Sequence, residues 1–265
     1  MNTTNFPNGF VNGLTIRNSP ITQLYPGNIF WVNGSSVLGG GQKVGGSNGN
    51  AGTYTVPFAT LDFAIGKCLG GRGDIIMPGH TETVIAAGTI TMDVAGVAVI
   101  GLGAGTLRPT ISFTTATAAA IVVSAANCSI KNCIFSAGFA DVAEAFTLTA
   151  VSFTIEDCVF QYADTGENFI ELFDTGTSDN EVDDLAILNC KWTSPDTACT
   201  SVINVDSDID GLTVHDCYFD LAVNGVLSII AEVATGKDLT NIDIRRNYGT
   251  RLVTGSAVGY ITFVD

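Results

Sequence analysis

Short runs of alternating apolar and polar residues recur along most of the chain, and five of them share one pattern. Two apolar residues separated by one position come first, then Asn, Asp or Arg, and a second apolar pair ends the run. The five copies are residues 128–135, 153–160, 185–192, 212–219 and, more weakly, 242–249, with a degenerate copy at 97–102. Such alternation is typical of short strands with one buried face. Corresponding positions recur after 25, 32, 27 and 30 residues, so the pattern predicts a repeat protein.

A change of phase inside each copy predicts a corner. In the first copy, Cys128 and Ile130 alternate as one strand, whereas Cys133 and Phe135 alternate in the opposite phase. An uninterrupted strand would point the second pair outward, because successive side chains lie on opposite faces. A bend keeps both pairs inside, and Asn and Asp adopt the left-handed backbone that such a bend requires. The predicted bend residues are Asn132, Asp157, Asn189 and Asp216.

Equivalent positions of successive copies predict two files of side chains stacked inside the fold. The first file contains Cys133, Cys158, Cys190 and Cys217, and the second contains Phe135, Phe160, Trp192 and Phe219. We expect reduced, buried thiols because cysteine packs as a small apolar residue, with disulfides between neighbouring copies as the alternative. We expect the aromatic file to be core and not a platform for sugar rings.

A further apolar strand lies ahead of each copy, and together these segments predict the fold class. The extra strands cover residues 121–123, 146–148, 169–172, 202–205 and 229–230, and no helical periodicity separates them. Two or three short strands in each turn of about 25–32 residues describe a parallel β-helix, whose coils stack at about 4.8 Å. The prediction is an all-β, single-stranded parallel β-helix with rungs over about residues 74–265.

The segment before the first rung predicts an N-terminal capping helix. Apolar residues at 58, 61, 65 and 68 or 69 share one helical face, and Pro57 suits a first turn. A helix over about residues 58–69 would cover the first rung, which otherwise exposes its core and its edge.

Residues 1–28 differ from the rest of the chain and predict an extended N-terminal arm, with the β-helix over 29–265. The segment contains three prolines and a single charged residue, Arg17. An arm of this kind orders only against a partner, so we expect it to attach the protein to a larger assembly. The expected attachment residues are Phe6, Phe10, Leu14 and Ile16.

Composition and charge narrow the classes of partner. The 265 residues are 46% hydrophobic and 14% charged, and the formal net charge is −15. No apolar stretch reaches the roughly 18–20 residues of a membrane span. An acidic surface disfavours nucleic acid and anionic membranes as partners. Seven cysteines and two histidines without a C-x-x-C pair disfavour structural zinc, and we expect no cofactor and synthesis in a reducing cytoplasm.

Two parts of the sequence resemble known protein families. The segments at 57–60, 73–76 and 78–83, followed by the I-x-N-C-x-F rungs, resemble right-handed β-helix proteins of the pectin-lyase-like superfamily. The leader segments at 5–10 and 29–32 resemble virion proteins of tailed bacteriophages that infect aquatic bacteria. The first resemblance implies a right-handed helix. It implies no single activity, because this superfamily holds lyases, hydrolases, adhesins and inert spikes.

The sequence offers little to support catalysis. The resemblance implies that a lyase would carry clustered acids and a basic residue on one face, and that a hydrolase would carry close carboxylates. The cations near the repeats are Lys131, Lys191, Arg245 and Arg246, and they fall in different registers. We therefore expect no catalytic residue and no enzyme, with a polysaccharide lyase or hydrolase as the alternative.

One acidic loop matches part of a calcium-binding pattern. Asp206, Asp208 and Asp210 precede Gly211 in a D-x-D-x-D-G opening, but the twelfth position is Cys217 instead of glutamate. A turn of the β-helix explains these acids better than a bound calcium ion does, so they stay a weak metal candidate.

The resemblances together imply a structural protein of a phage particle, made in the host cytoplasm. The expected role is capsid decoration or cement, with residues 1–28 bound to the major capsid protein or another virion protein. We expect a homotrimer that covers the edge of the last strand. The alternative is a tail spike or tail fibre that binds host surface polysaccharide and, as an enzyme, depolymerises it.

Overall fold

The structure is a computed structural model in which three parallel sheets run side by side along one column. It describes residues 15–16, 19–20, 27–34, 42–79, 82–194, 198–221, 227–232, 237–251 and 258–262. Sheet 1 contains Ile29–Val32, Ile75–Pro78, Ala98–Ile100, Ser129–Lys131, Thr154–Glu156, Leu185–Leu188, Ile209–His215 and Leu239–Arg245. Sheet 2 contains Glu82–Val84, Thr110–Phe113, Ile134–Ala137, Val159–Tyr162, Lys191–Ser194, Tyr218–Leu221 and Tyr248–Arg251. Sheet 3 contains Ile90–Met92, Ile121–Val123, Val142–Leu148, Phe169–Thr175, Ser201–Val205, Leu227–Glu232 and Val258–Thr262.

Each coil of the chain passes through sheets 1, 2 and 3 in that order, and each strand pairs in parallel with the equivalent strand of the next coil. Ile130, for example, lies between Val99 and Ile155. The predicted fold class, an all-β parallel β-helix, is confirmed, and its right-handedness stays a prediction from the sequence resemblance.

Apolar files fill the inside of the column, because in-register pairing places equivalent side chains one above another. The predicted cysteine file and the predicted aromatic file both lie inside, and none of their members is more than 3% exposed. Phe135 and Phe160 stack with ring centroids 5.0 Å apart. A second aromatic pair, Phe146 and Phe173 of sheet 3, stacks at 5.3 Å, and Phe146 meets Phe135 edge to face.

At the corner after sheet 1, the cysteine thiols donate hydrogen bonds to backbone carbonyls. Cys158 donates to the carbonyl of Glu156, two residues earlier, and Cys190 does the same to Leu188. All seven cysteines are free and buried. Burial raises the pKa of the Cys133 thiol above its ordinary value, so this thiol stays protonated.

Two files of left-handed residues lie near the beginning and just after the end of strands of sheet 1. The exit ladder, which follows these strands, has positive φ at Asn132, Asp157, Asn189, Asp216 and Arg246. The first four are the predicted bend residues. The entry ladder, which the sequence pattern did not indicate, has positive φ at Gly96, Asn127, Ser152, Asp184, Gly211 and Asn241.

The capping helix is shorter than predicted. It covers only Leu61–Ile65, with Thr60 as its N-cap residue, so Pro57 lies before it and not in its first turn. Leu61 and Ile65 are buried against the first coil, as the pattern indicated, and of the two alternatives at the end of the predicted face Cys68 is buried and Leu69 is 58% exposed. The buried carboxyl of Glu82 accepts a hydrogen bond from the Leu61 N–H, and burial raises the pKa of Glu82 to about 7.

The column begins one strand earlier than the predicted rungs. Ile29–Val32 pairs in parallel with Ile75–Pro78, ahead of the first complete coil. Buried Asp74 accepts the Asn28 N–H at 2.7 Å and is paired with Arg72. Residue 28 thus already belongs to the column, although the prediction placed it in the arm.

Candidate functional site

An open groove runs along the corner between sheets 1 and 2, on the outside of the exit ladder. It consists of three neighbouring hollows with volumes of about 450, 410 and 360 Å³. Arg108 lines both the first and the second hollow, and Lys191 lines both the second and the third. We call this the corner groove. Its main lining residues are Trp31, Asn33, Gln42, Tyr54, Arg108, Asn132, Asp157, Asn189, Lys191, Gln161, Tyr162 and Thr193.

The first hollow combines aromatic rings with side-chain amides. Trp31, from the first strand of sheet 1, meets Tyr54 edge to face with centroids 4.8 Å apart. The Asn33 amide donates to Gln42 Oε1 at 2.7 Å on the same wall. Tyr54 is 41% exposed, so part of its ring faces the hollow. An exposed ring beside amide groups offers an apolar face and hydrogen bonds at the same place.

Asp157 lies at the centre of the second hollow and is held from several sides. Asn189, one coil further on, donates to Asp157 Oδ1 at 2.6 Å, and the amine of Lys131 lies 3.2 Å from Oδ2. The hydrogen bond from Asn189 and the charge of Lys131 lower the pKa of Asp157 below its ordinary value. The carboxylate is therefore ionised at neutral pH and already has partners.

Arg108 comes from a loop outside the repeats and joins the first two hollows. It follows the short 3₁₀ helix Gly105–Leu107, and its Nη1 donates to the Asp157 carbonyl at 2.7 Å. Its Nε is buried and has no hydrogen-bond partner among the residues that the structure describes. An unmet buried donor costs free energy, typically about 1–3 kcal/mol.

The outer surface of sheet 2 continues the groove with polar and aromatic side chains. Lys191 and Tyr218 are register partners, and the Lys191 amine lies 5.3 Å from the centroid of the Tyr218 ring. Tyr218 in turn stacks on Tyr248 of the next coil at 5.5 Å. Tyr248 is 60% exposed.

The described lining of the groove lacks the pair of carboxylates that glycoside hydrolases usually carry. Among the described lining residues of the three hollows, Asp157 is the one carboxylate. Glycoside hydrolysis by the usual route needs two carboxylates on either side of the bond. The groove offers amides, hydroxyls, a guanidinium, an amine and aromatic rings, which are groups that hold a ligand in place.

The calcium candidates lie at a different corner, between sheets 3 and 1. Asp210 is part of the strand Ile209–His215, and its carboxylate accepts from Thr240 and Asn241 of the next coil. Asp208 accepts the Asp238 N–H at 2.9 Å, and the Asp206 N–H donates to Thr175. Within the described residues, no group of three or more His, Cys, Asp or Glu side chains is arranged to hold a metal ion. These acids connect neighbouring coils.

A second acidic group lies on the outer face of sheet 3. Glu144 and Glu171 are register partners, and Asp174 follows on the same strand as Glu171. Burial, together with the charges of Asp174 and Glu144, raises the pKa of Glu171 to about 7. Burial together with the Glu144 charge raises the pKa of Asp174 to about 6. Asn204 and Ser201 donate to these carboxyls from the next coil.

Most of the predicted attachment residues lie outside the part of the chain that the structure describes. Phe6, Phe10 and Leu14 lie outside the described residues. Ile16 belongs to the two-residue strand Thr15–Ile16, which pairs antiparallel with Ser19–Pro20. The attachment role of these four residues stays a prediction.

Folding brings together cations that the sequence pattern left apart. Arg108, Lys131 and Lys191 all surround Asp157, although they belong to three different coils. The repeats placed Lys131 and Lys191 in different registers because one precedes the bend and the other follows it. Arg108 and the aromatic residues of the first hollow had no signal in the repeats, since they lie in a loop and in the leader.

Comparisons with known proteins give a distant structural similarity. The chain matches no protein-family model, and no curated protein matches it in sequence. Among solved structures, it is similar to a rhamnogalacturonan lyase at 12% sequence identity and a TM-score of 0.37, over 81% of this chain and 62% of that chain. The chain thus spans less than two thirds of the length of that protein. Among the described residues, no helix is long and apolar enough to cross a membrane.

Proposed function

We propose that the protein binds an extended polysaccharide along the corner groove. The observation that carries this proposal is the continuity of the groove: three hollows in succession share Arg108 and Lys191 as lining residues. The groove crosses six strands of sheet 1, from Ile29–Val32 to Leu185–Leu188, which corresponds to about 24 Å. A long, shallow, polar groove suits a linear polymer better than a compact small molecule.

The groups along the groove match the chemistry of sugars. Hydroxyl groups need donors and acceptors, which the amides of Gln161 and Asn189 and the hydroxyl of Thr193 supply. The apolar faces of sugar rings pack on aromatic rings, which Tyr54 and Tyr162 supply. We propose binding without hydrolysis, because Asp157 has no second carboxylate beside it among the described lining residues.

Affinity electrophoresis through gels that contain soluble polysaccharides tests this proposal. We expect retardation by at least one polysaccharide and about tenfold weaker binding after Tyr54→Ala, since an exposed ring contributes about 1–1.5 kcal/mol to such contacts. The matched control is Ile85→Ala, which removes another exposed apolar side chain, outside the groove. Equal retardation of both variants, or no retardation in any gel, would contradict the proposal.

Product analysis tests the absence of cleavage separately. Prolonged incubation with each polysaccharide that binds is expected to release no oligosaccharides, as measured by reducing ends and by absorbance of unsaturated sugars. Release that disappears in Asp157→Asn would show that the groove is catalytic.

The predicted role in a phage particle depends on the sequence resemblance and stays a prediction, as do the homotrimer and the capsid-protein partner of residues 1–28. Deletion of residues 1–26 tests attachment without removing Asn28, whose N–H binds Asp74. Loss of particle binding by the shortened protein is the expected result, and unchanged binding contradicts the prediction.

A further inference from the structure

The cysteine file places four thiols in one line inside the column. Each of these cysteines stands directly before a strand of sheet 2, and the four strands pair in parallel and in register. Equivalent residues of neighbouring coils are therefore about 4.8 Å apart. All four side chains are at most 3% exposed, and all four thiols are free. The column thus holds a row of sulfur atoms at the spacing of its coils.

Cys190 contacts a thiol on each side of it in this row. Its side chain is hydrogen-bonded with the thiols of both Cys158 and Cys217. Farther along the file, Cys158 Sγ lies 3.5 Å from the backbone nitrogen of Cys133. Three consecutive sulfur atoms therefore lie within reach of one another, with that of Cys190 in the middle.

The coil spacing fits a metal ion between two of these sulfur atoms better than it fits a disulfide bond. A disulfide brings its Cβ atoms to about 3.5–4.5 Å, which is closer than in-register side chains of neighbouring coils at about 4.8 Å. A metal–thiolate bond is about 2.3 Å long, so an ion in line between two sulfur atoms separates them by about 4.6 Å. Linear, two-coordinate binding therefore matches the row.

The arrangement of the donors selects the class of metal. Zinc takes four ligands at the corners of a tetrahedron, and within the described residues no group of three or more His, Cys, Asp or Glu side chains is arranged to hold a metal ion. Sulfur ligands favour soft ions such as Cu(I), which also accepts two ligands in a line. A row of thiols therefore suits a soft monovalent ion and not zinc.

We infer that Cys190 and one of its two neighbours, Cys158 or Cys217, bind a soft monovalent metal ion of the Cu(I) class between their sulfur atoms. The ion takes the place of the proton between two thiols. One S–H bond breaks, its proton passes to solvent, and two metal–sulfur bonds form with no change of oxidation state. One thiolate then balances the single positive charge, so the unit is neutral, as an apolar core requires. The inference is independent of the proposed function.

Burial keeps these thiols protonated until a metal ion arrives. Hydrogen bonds with its neighbours and burial raise the pKa of the Cys190 thiol well above its ordinary value. Protonated, buried thiols are poor nucleophiles. A coordinating metal ion nevertheless deprotonates a thiol, because the ion supplies the opposite charge. The file is therefore inert towards oxidants and alkylating reagents but remains a ligand for a soft cation.

The corner groove offers a route to the file. Cys158 is one of the lining residues of the second hollow, together with Val159 and Asn189. An ion in this hollow therefore reaches Cys158 first and Cys190 of the next coil after it. Since Cys158 is only 1% exposed, uptake needs a local opening of the wall, and we expect it to be slow.

Anaerobic competition for Cu(I) against the coloured chelator bicinchoninate tests this inference on the full chain. We expect the natural protein to withdraw one equivalent of Cu(I) after prolonged incubation. Cys190→Ser is expected to weaken binding about a hundredfold, because it removes the sulfur common to both pairs. Cys158→Ser and Cys217→Ser each leave one pair and are expected to keep the site, whereas the double variant loses it. Cys199→Ser, at a buried cysteine outside the file, is the matched control and is expected to change nothing.

X-ray absorption at the copper edge tests the coordination in the natural protein without any variant. Two sulfur neighbours and no nitrogen or oxygen neighbour are expected, and a three- or four-coordinate ion overturns the inference. No withdrawal of Cu(I), equal affinity of Cys190→Ser and the natural protein, or a site that survives in the double variant also overturns it. If circular dichroism shows that Cys190→Ser misfolds, the two single variants at Cys158 and Cys217 and the absorption spectrum still decide.

Discussion

The entry and exit ladders have the same left-handed backbone conformation, but their side chains make different contacts. In both, the N–H of most ladder residues donates to a carbonyl of the next coil, as Asp157 does to Leu188 on the exit side and Ser152 to Asp183 on the entry side. On the exit side, the side chains themselves join the coils, as Asn189 does with Asp157. On the entry side two positions are glycine, and the neighbouring acids take part in the connections: Asp183 accepts the Asp210 N–H, and Asp210 accepts a hydrogen bond from the side chain of Asn241.

Backbone hydrogen bonds between coils are thus common to both corners, whereas the side-chain contacts differ from one corner to the other. The side chains at the ladder positions can therefore differ according to the surface that surrounds them. The exit ladder combines carboxylates with cations and lines the corner groove. The entry ladder lies beside the acids Asp179, Asp183, Asp206, Asp208 and Asp210, where Lys237 pairs with Asp179. One fold thus carries a groove of mixed charge and an acidic corner on either side of sheet 1.

The largest effect is expected from Gly211→Ala in the entry ladder. Gly211 has φ of +85°, and an added Cβ would lie 2.6 Å from Asp184 Oδ1. We expect the free energy of unfolding to fall by about 2–3 kcal/mol, from backbone strain and from the collision together. Urea denaturation followed by circular dichroism measures it.

The matched control for that variant is Gly166→Ala. Gly166 has φ of +90°, but an added Cβ meets no atom within 4 Å. We expect a loss of about 1 kcal/mol, from strain alone. Equal losses for the two variants would show that contact between successive ladder residues is unimportant on the entry side.

A smaller effect is expected at the exit ladder from Asn189→Ala. Alanine disfavours the left-handed backbone at φ 49° and removes the hydrogen bond to Asp157, so we expect a loss of about 2 kcal/mol. Asn189→Gly also removes the hydrogen bond but suits the backbone, and its expected loss is below about 1 kcal/mol. If glycine costs as much as alanine in the same denaturation measurement, the side chain and not the backbone holds this corner.

The smallest expected effect is on the pH dependence of stability, which should differ between Glu171 in sheet 3 and Asp157 in the exit ladder. Since the folded-state pKa of Glu171 is raised to about 7, its contribution to stability declines as pH rises from about 4.5 through 7. Glu171→Gln is therefore expected to stabilise the protein by about 1 kcal/mol at pH 8 and by little at pH 4.

Asp157 is expected to show the opposite dependence. Its folded-state pKa is lowered, so its stabilising contribution is complete above its unfolded pKa of 3.8 and is lost as pH falls through the folded value. Asp157→Asn should thus be less stable than the natural protein at pH 7 and equally stable near pH 2. Thermal melting across pH 2–8 measures both variants, and parallel pH profiles would contradict the assignment of opposite shifts.

The repeats allowed the exit ladder to be predicted but not the entry ladder. At the exit, apolar residues stand on both sides of the bend, so a change of phase reveals it. At the entry, loops of variable length precede the bend and no alternation exists to be interrupted. A signal was still present: Asn127, Ser152, Asp184 and Gly211 each stand five residues before an exit-ladder residue.

The capping helix shows how tertiary contacts limit a local pattern. Apolar spacing over 58–69 is helical, but the chain at Phe58 forms backbone hydrogen bonds with Trp31 and Asn33 instead. The helix therefore begins only after Thr60, and it ends at Ile65, before the turn that brings Leu69 to the Asp74 carboxylate.

The sequence by itself determined the repeat, the bends at Asn132, Asp157, Asn189 and Asp216, and the buried cysteine and aromatic files. Each of these follows from alternation along the chain, which pairing in register then copies from coil to coil. The tertiary structure alone decided the corner groove. Trp31, Tyr54 and Arg108 lie outside the repeats, and only the stacking of coils places them in line with Lys191. Charged residues that are far apart in sequence lie close together because successive coils are only about 4.8 Å apart. This short spacing determines which charged groups meet on the surface.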